Sequence, residues 1–183
     1  MRLGATLATA LLLARAACAS PAGVASDVAG WAAARGGFVG GPAQERADRV
    51  ARSLAAAPGM PALRVRVLDS PEVGAFSWPG GEVVVTAALL DLLADDELTA
   101  ALAHEAGHLL AAAGHEPGAR LVGAAADDGV AAADAVGVWL LEAASDDPTA
   151  MVRMLHTLRA ALASDARVAA AIDRRIARLE RAR

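Results

Sequence analysis

The sequence lacks lysine altogether and contains one cysteine. All 17 basic residues are arginines, and with 21 acidic residues the formal net charge is −4. This balance leaves no dense basic patch, so nucleic acid is not an expected partner. With Cys18 as its single cysteine, the chain cannot form an intramolecular disulfide. The length of 183 residues and the hydrophobic share of 56% are typical of one globular domain.

Long hydrophobic runs are also scarce, and no uncharged run after the N-terminus reaches membrane-spanning length. The N-terminal run, Leu3 to Ala14, has 12 residues and follows a short basic start. It is too short to cross a bilayer of about 30 Å. Because the A-x-A pattern Ala17-Cys18-Ala19 comes next, we predict a secretory signal at 1–19 and a secreted or periplasmic protein. A lipoprotein anchor on Cys18 is the alternative, although Arg15 stands where such a site needs an aliphatic residue.

The remaining chain divides into a short glycine-rich stretch and one domain. Residues 20–42 are predicted to be a flexible segment, and residues 43–183 the folded domain. Hydrophobic periodicity and turn residues predict the elements of that domain. They are a helix at 43–57, strands at 63–68 and 82–86 joined by a turn-rich connection at 70–81, helices at 95–113 and 120–144, a helix opening at Asp147-Pro148, and a last helix at 165–183.

The last predicted helix has Ile172, Ile176 and Leu179 on one face. Its arginines are broken up by acidic residues, so we interpret them as a solvated face. They are Arg174, Arg175, Arg178, Arg181 and Arg183. The tryptophans are too scattered for a stacking platform and are assigned to packing.

The helix predicted at 95–113 contains an H-E-x-x-H motif, His104-Glu105-Ala106-Gly107-His108. At positions i and i+4 the two imidazoles point the same way and can bind one Zn²⁺. Glu105, on the adjoining face, can take a proton from water and pass it to a leaving amine. The motif therefore indicates a zinc-dependent hydrolase.

The ordered segments around this motif resemble the zinc metallopeptidase family of HtpX, the CAAX prenyl protease and their soluble periplasmic relatives. The resemblance covers roughly residues 45–183. Its segments are the strand 63–68, the A-F-x-x-P-G-G stretch at 75–81 with the following edge strand, the H-E-x-x-H helix, the A-D-x-x-G stretch at 133–137, Asp147-Pro148 with the next helix, and R-I-x-x-L at 175–179.

This resemblance implies an α+β, zincin-like fold that is mostly helical, with a small β-sheet and an H-E-x-x-H active-site helix. It also implies a zinc endopeptidase acting on polypeptides, with envelope or misfolded proteins as the substrate class. Asp134 would orient a ligand histidine from behind. An extended substrate would lie along the edge strand, and Trp78 would lie near that edge. The residues expected to contact substrate are Ala75, Phe76, Gly80, Gly81 and Val83.

Three active-site positions depart from the family pattern. The third zinc ligand of the family is a Glu four residues before Asp134, and this position is Val130 here. The family's Asn before A-F is Gly74. Its His-Pro before R-I-x-x-L, thought to help the transition state, falls near Ala169-Ala170 and is absent. The zinc helix is therefore intact within an altered site.

Several side chains compete to replace the missing carboxylate. Asp127 lies one helical turn before Val130 and is our assigned third ligand, although a shorter Asp needs a backbone shift to reach the metal. Asp134 is one turn later, and His115 lies beyond the helix end. Water in place of a third ligand, or no stable metal at all, is also open, since catalytic zinc normally has three protein ligands.

Two functions from different classes follow. The first is an exported zinc endopeptidase, and the second is an impaired relative that uses the peptidase fold to bind polypeptides. The loss of the Glu ligand favours the second, whereas the intact H-E-x-x-H motif favours the first. A helical structural protein with an accidental motif would require every ordered match to be coincidence. The sequence leaves substrate identity and oligomeric state open.

Overall fold

The computed structural model describes residues 28–60, 62–78, 80–112 and 129–182. Its elements, in chain order, are α1 Val28–Ala33, β1 Phe38–Val39, α2 Gly41–Leu54, β2 Arg64–Leu68, β3 Ala75–Trp78, β4 Glu82–Thr86, α3 Ala87–Leu92, α4 Asp95–Ala112, α5 Gly129–Ala143, α6 Ala150–Ala161 and α7 Ala166–Arg181. None of these helices is long and apolar enough to cross a membrane. The predicted signal at 1–19 lies outside the described residues.

The four strands form one mixed sheet in the order β1-β2-β4-β3. The central strands β2 and β4 are parallel, whereas β1 and β3 are antiparallel to their neighbours and form the two edges. Alternate strand residues point to opposite faces. On the inner face, Val67, Val83 and Val85 are fully buried against the helices. This continuous apolar face explains why the central strands are rich in valine.

The main core lies between the inner face of the sheet and the helices. α4 contacts α2, α5, α6 and β3, and α7 packs on α6. Leu98 and Leu102 of α4 are fully buried, as are Leu140 and Leu141 of α5. The predicted α+β, zincin-like fold, mostly helical with a small sheet, is confirmed.

α4 and α5 approach closely because glycines lie at their crossing. A Cβ atom on Gly107 would come within 2.6 Å of the carbonyl oxygen of Ala133, and one on Gly137 within 3.1 Å of the backbone nitrogen of His104. Backbone atoms cannot move aside as a flexible side chain can. The glycine inside the H-E-x-x-H motif therefore sets the distance between the motif and α5.

A smaller apolar cluster lies on the outer face of the sheet. α1 packs there, with Ala32 buried against Leu68 and Val84. Next to it, Trp31, Phe76 and Trp78 form what we term the outer aromatic cluster. The ring of Trp31 lies 5.1 Å from that of Phe76 and 4.9 Å from that of Trp78, both edge to face. This geometry is the favoured one for aromatic pairs.

Three parts of the fold differ from the prediction. The part of the predicted flexible segment that the structure describes, residues 28–42, contains α1 and β1, and β1 extends the sheet at Phe38 and Val39. The turn-rich connection at 70–81 contains β3, whose four residues are uncharged and all half-buried. α3 follows β4 directly, with the Thr86 hydroxyl accepting a hydrogen bond from Leu89 N.

Candidate metal centre and active site

The start of α4 is held in place by polar contacts. The guanidinium of Arg46 donates to the carbonyl of Leu93 at 2.6 Å and to Asp95 at 2.7 Å. Glu97 accepts a hydrogen bond from Ala94 N, and acidic residues near a helix N-terminus are favoured by the helix dipole. The helix therefore enters the core at a defined point, and the motif follows about two turns later.

The two histidines of the motif lie side by side on α4. The centroids of the His104 and His108 rings are 4.8 Å apart, and the rings are almost perpendicular, at 87°. The Nε2 atoms of both are buried and, among the residues that the structure describes, have no hydrogen-bond partner. Burial, together with the neighbouring His104, lowers the pKa of His108 to about 4. The His108 imidazole is therefore neutral at neutral pH, as a metal ligand must be.

The other nitrogen of His104 is held by α5. Nδ1 of His104 lies 2.8 Å from Oδ1 of Asp134, and both side chains are buried. Since a carboxylate only accepts hydrogen bonds, this contact places a proton on Nδ1, so that Nε2 is the acceptor nitrogen in the neutral form of the ring. The family resemblance implies an orienting role for Asp134, and the structure places its carboxylate against this ring nitrogen of His104.

Asp134 is itself paired with Arg175 of α7. Nε of Arg175 donates to one carboxylate oxygen at 2.7 Å, and Nη2 donates to the other at 2.6 Å. Burial alone would raise the pKa of Asp134, but the hydrogen bonds and charges of Arg175 and His104 outweigh it and lower the pKa to about 2. Both oxygens are thus engaged, and Asp134 is not free to become the third metal ligand.

Glu105 lies on the side of α4 that faces β3. Its carboxyl group is buried and accepts a hydrogen bond from the side chain of Ser77. Burial raises the pKa of Glu105, and the positive charges nearby together with Ser77 oppose that rise. A carboxylate in such surroundings binds a proton more readily than one in water, which suits a group that must accept a proton and then release it.

A small cavity of about 30 Å³ lies next to these groups, enough for about one water molecule. Ala75, His104, Glu105 and Arg175 line it, and its remaining wall is mostly apolar. Nη1 of Arg175 is buried as well, and none of the described residues accepts a hydrogen bond from it. Polar atoms from α4 and α7 therefore meet at one enclosed point beside the edge strand.

The residues expected to contact substrate divide between four places. Ala75 lines the cavity, whereas Phe76 lies on the outer face of the sheet. Gly80 and Gly81 form the turn between β3 and β4 with positive φ, and a Cβ atom on Gly81 would meet the carbonyl of Ala62 at 2.5 Å. Val83 is fully buried in the central strand β4, where its side chain has no exposed surface for a substrate to contact.

No carboxylate of the described residues takes the place of the family's third zinc ligand. Val130 lies one turn before Asp134 on α5 and is half-buried. In the described ranges, no group of three His, Cys, Asp or Glu side chains is placed to hold a metal ion. Asp127, our assigned third ligand, and the alternative His115 both lie outside the described residues.

Two functional side chains were missed by the sequence reasoning. Arg175 was grouped with the solvated arginines of the last helix, but it is buried and paired with Asp134. A signal was available, because it lies three residues after Ile172 and four before Leu179, on the apolar face of α7. Ser77 was missed because the turn residues on both sides of β3 led us to predict a turn-rich connection there and no strand.

The comparison with known proteins bears on this site directly. Residues 42–117, which include the H-E-x-x-H motif, match the sequence model of Peptidase family M48. No curated protein matches the chain. The match supports the resemblance seen in the sequence, because residues 42–117 are similar to those of Peptidase family M48, the metallopeptidase family of the HtpX and CAAX prenyl protease type.

Proposed function

We propose that this chain is an exported zinc endopeptidase that hydrolyses peptide bonds of envelope or misfolded proteins. The observation that carries the proposal is the pair of buried Nε2 atoms of His104 and His108, which no described residue contacts by a hydrogen bond, beside the buried carboxyl group of Glu105. Export rests on the predicted signal at residues 1–19, and the substrate class rests on the family resemblance.

The two Nε2 atoms fit a zinc ion. A buried nitrogen without a partner is costly, and a metal bond satisfies it. His104 and His108 would hold the ion, with Asp127 as the third ligand. Zinc, when bound, supplies Lewis acidity that polarises a carbonyl group and makes water more acidic.

Glu105 would move the proton of the reaction. Its carboxylate accepts a proton from the attacking water, which forms the new C–O bond, and then donates that proton to the leaving amine as the C–N bond breaks. Asp134 and Arg175 hold His104 in one orientation while this happens. Ser77 holds the carboxyl group of Glu105 toward β3.

The substrate would bind along β3. This strand is at the edge of the sheet, and in the described residues β4 alone pairs with it. An extended polypeptide can add to such an edge through backbone hydrogen bonds. Its scissile bond would then lie on the side where Glu105 and His104 face the strand.

An impaired relative that binds polypeptides without cutting them is the second candidate. The apolar Val130 favours it, because valine cannot bind a metal and catalytic zinc normally has three protein ligands. Both candidates bind a polypeptide along the edge strand β3. They differ because only the peptidase needs a bound metal ion and hydrolyses the polypeptide.

The test is the zinc content of the full chain, purified without added metal. We expect about one zinc per chain, its loss in His108→Ala, and its retention in His156→Ala, a matched change at an exposed histidine of α6. Asp127→Asn should also lose zinc, and Asp128→Asn should keep it. Zinc retained in both Asp variants would rule out Asp127 as the third ligand.

Hydrolysis of an unfolded protein such as casein is the second measurement. We expect cleavage by the zinc-loaded chain and no cleavage by Glu105→Gln with its zinc retained. A chain that binds no zinc, even with micromolar metal added, would contradict the enzyme and favour the polypeptide-binding candidate. Cleavage that survives in Glu105→Gln would contradict the assigned role of Glu105.

A further inference from the structure

The strand that borders the active site carries the outer aromatic cluster on its other face. Ala75 and Ser77 point inward, where Ala75 lines the cavity and Ser77 contacts Glu105. Phe76 and Trp78 point outward and meet the ring of Trp31. Four consecutive residues of β3 therefore connect the reacting groups to an aromatic surface.

The rings of this cluster are only half-buried. Trp31, Phe76 and Trp78 all keep part of their surface exposed, although Leu68 and Val84 beneath them are buried. The guanidinium of Arg35 lies 4.6 Å from the Trp31 ring and covers one side of it. Aromatic surface left open beside a strand edge with which no further described residue pairs is available to a strand that adds there.

We propose that the outer aromatic cluster selects the substrate, favouring polypeptides with apolar side chains at two positions separated by one residue. This inference rests on the proposed function, since it needs β3 to be the substrate-binding strand. The occupant is an extended polypeptide segment with the pattern apolar–any–apolar.

The register of an added strand gives this pattern. Residues directly opposite each other in neighbouring strands share a face of the sheet, with Cβ atoms about 5 Å apart. Two substrate residues opposite Phe76 and Trp78 would therefore lie over the aromatic rings. The residue between them, opposite Ser77, would point to the face where Glu105 lies.

The energetics of such pairs favour apolar side chains. Aromatic rings opposite aromatic or β-branched residues stabilise a strand pair, and covering the rings removes apolar surface from water. A charged side chain at either position would lose hydration against the rings without gaining a partner. For two such positions we expect about a fivefold preference in affinity.

The test uses two labelled ten-residue peptides of identical composition and the full chain carrying Glu105→Gln, so that binding is measured without cleavage. One peptide has two valines separated by one residue, and the other has them adjacent. Fluorescence anisotropy should show about fivefold tighter binding of the first. Trp78→Thr, which keeps a strand-favouring residue, should bring the ratio to about one.

Trp139→Thr is the matched control, because Trp139 lies on α5 against the main core. Trp139→Thr should leave the affinity ratio of the two peptides unchanged. Trp78→Phe should keep most of that ratio, and this variant still tests the inference if Trp78→Thr does not fold. Equal affinities in the unsubstituted chain, no binding of either peptide, or a ratio that Trp78→Thr leaves unchanged would overturn the inference. So would a dimer in solution, dissociated by Trp78→Thr, because a second copy would then cover the cluster.

Cleavage separates this inference from the proposed function. A chain that shows the binding preference but never cuts either peptide would contradict the peptidase alone. A chain that cuts both peptides with equal kcat/KM would contradict the selectivity alone.

Discussion

The two sides of α4 are built in different ways. On the side of α5 and α7, polar atoms are paired in a closed network in which Asp134 bonds to both His104 and Arg175. On the side of β3, Glu105 receives one hydrogen bond from Ser77, and residues of both the helix and the strand line the small cavity. The polar groups on the first side, which we term the closed side, are held by buried partners, whereas the second side leaves space for about one water molecule.

This difference shows how one helix can serve two purposes. A metal-binding imidazole needs a fixed orientation, and the closed side supplies it through buried partners on two other helices. A carboxyl group that transfers protons benefits from a pKa raised by burial and from space for a water molecule beside it, and the side facing β3 supplies both. Substitutions on one side of α4 at a time should separate the two contributions.

Removing the carboxylate on the closed side should have the largest effect. Asp134→Ala leaves the buried guanidinium of Arg175 without its partner, and breaking a buried pair in this way costs about 3–5 kcal/mol. We expect that loss in the free energy of unfolding, measured by urea denaturation.

The matched test is the double variant Asp134→Leu/Arg175→Met, which removes both charges. It should recover most of the stability lost in Asp134→Ala, because no unpaired charge is left buried. If the double variant is less stable than Asp134→Ala, the network stabilises the fold through more than charge pairing.

The contact between α4 and α5 should be the next most sensitive point. Gly107→Ala would place a Cβ atom 2.6 Å from the carbonyl oxygen and 2.9 Å from the Cα atom of Ala133. Overpacking against backbone typically costs about 1–3 kcal/mol, and we expect the upper part of that range. Thermal unfolding measures it. Gly129→Ala on α5, where a Cβ atom meets nothing within 4 Å, should be neutral or stabilising and serves as the control.

Some elements of the fold could be predicted from the sequence and others could not, and the difference has physical causes. The alternating residues of β2 and the strong periodicity of α7 come from one-sided burial, so the pattern predicts both. β3 was missed because it is four residues long and half-buried on both faces, which leaves no alternation to detect. The H-E-x-x-H motif was enough to predict α4. The pairing of Asp134 with Arg175 could not be predicted, because the two residues are 41 positions apart and only the packing of α7 brings them together.

The closed side should also determine part of the acid sensitivity. The pKa of Asp134 is lowered from 3.8 to about 2, so its ionised form stabilises the fold above pH 4. That stabilisation is lost as the pH falls from about 4 to 2, and it corresponds to about 2 kcal/mol. Urea denaturation at pH 6 and pH 3 should therefore show a larger loss for the unsubstituted chain than for Asp134→Asn. Equal losses in the two proteins would show that Asp134 does not carry this sensitivity.

The side facing β3 should give the smallest change in stability and a distinct change in activity. Ser77→Ala removes one hydrogen bond to Glu105, worth about 1 kcal/mol, and leaves the closed network untouched. Because that hydrogen bond lowers the pKa of Glu105, its loss should move the acid limb of the pH–rate profile to higher pH. Ser53→Ala on α2, where the hydroxyl group bonds to Val50, is the control and should leave the profile in place. A profile unchanged in Ser77→Ala would mean that the strand binds substrate without tuning the carboxyl group, and the two sides of α4 would then differ in access alone.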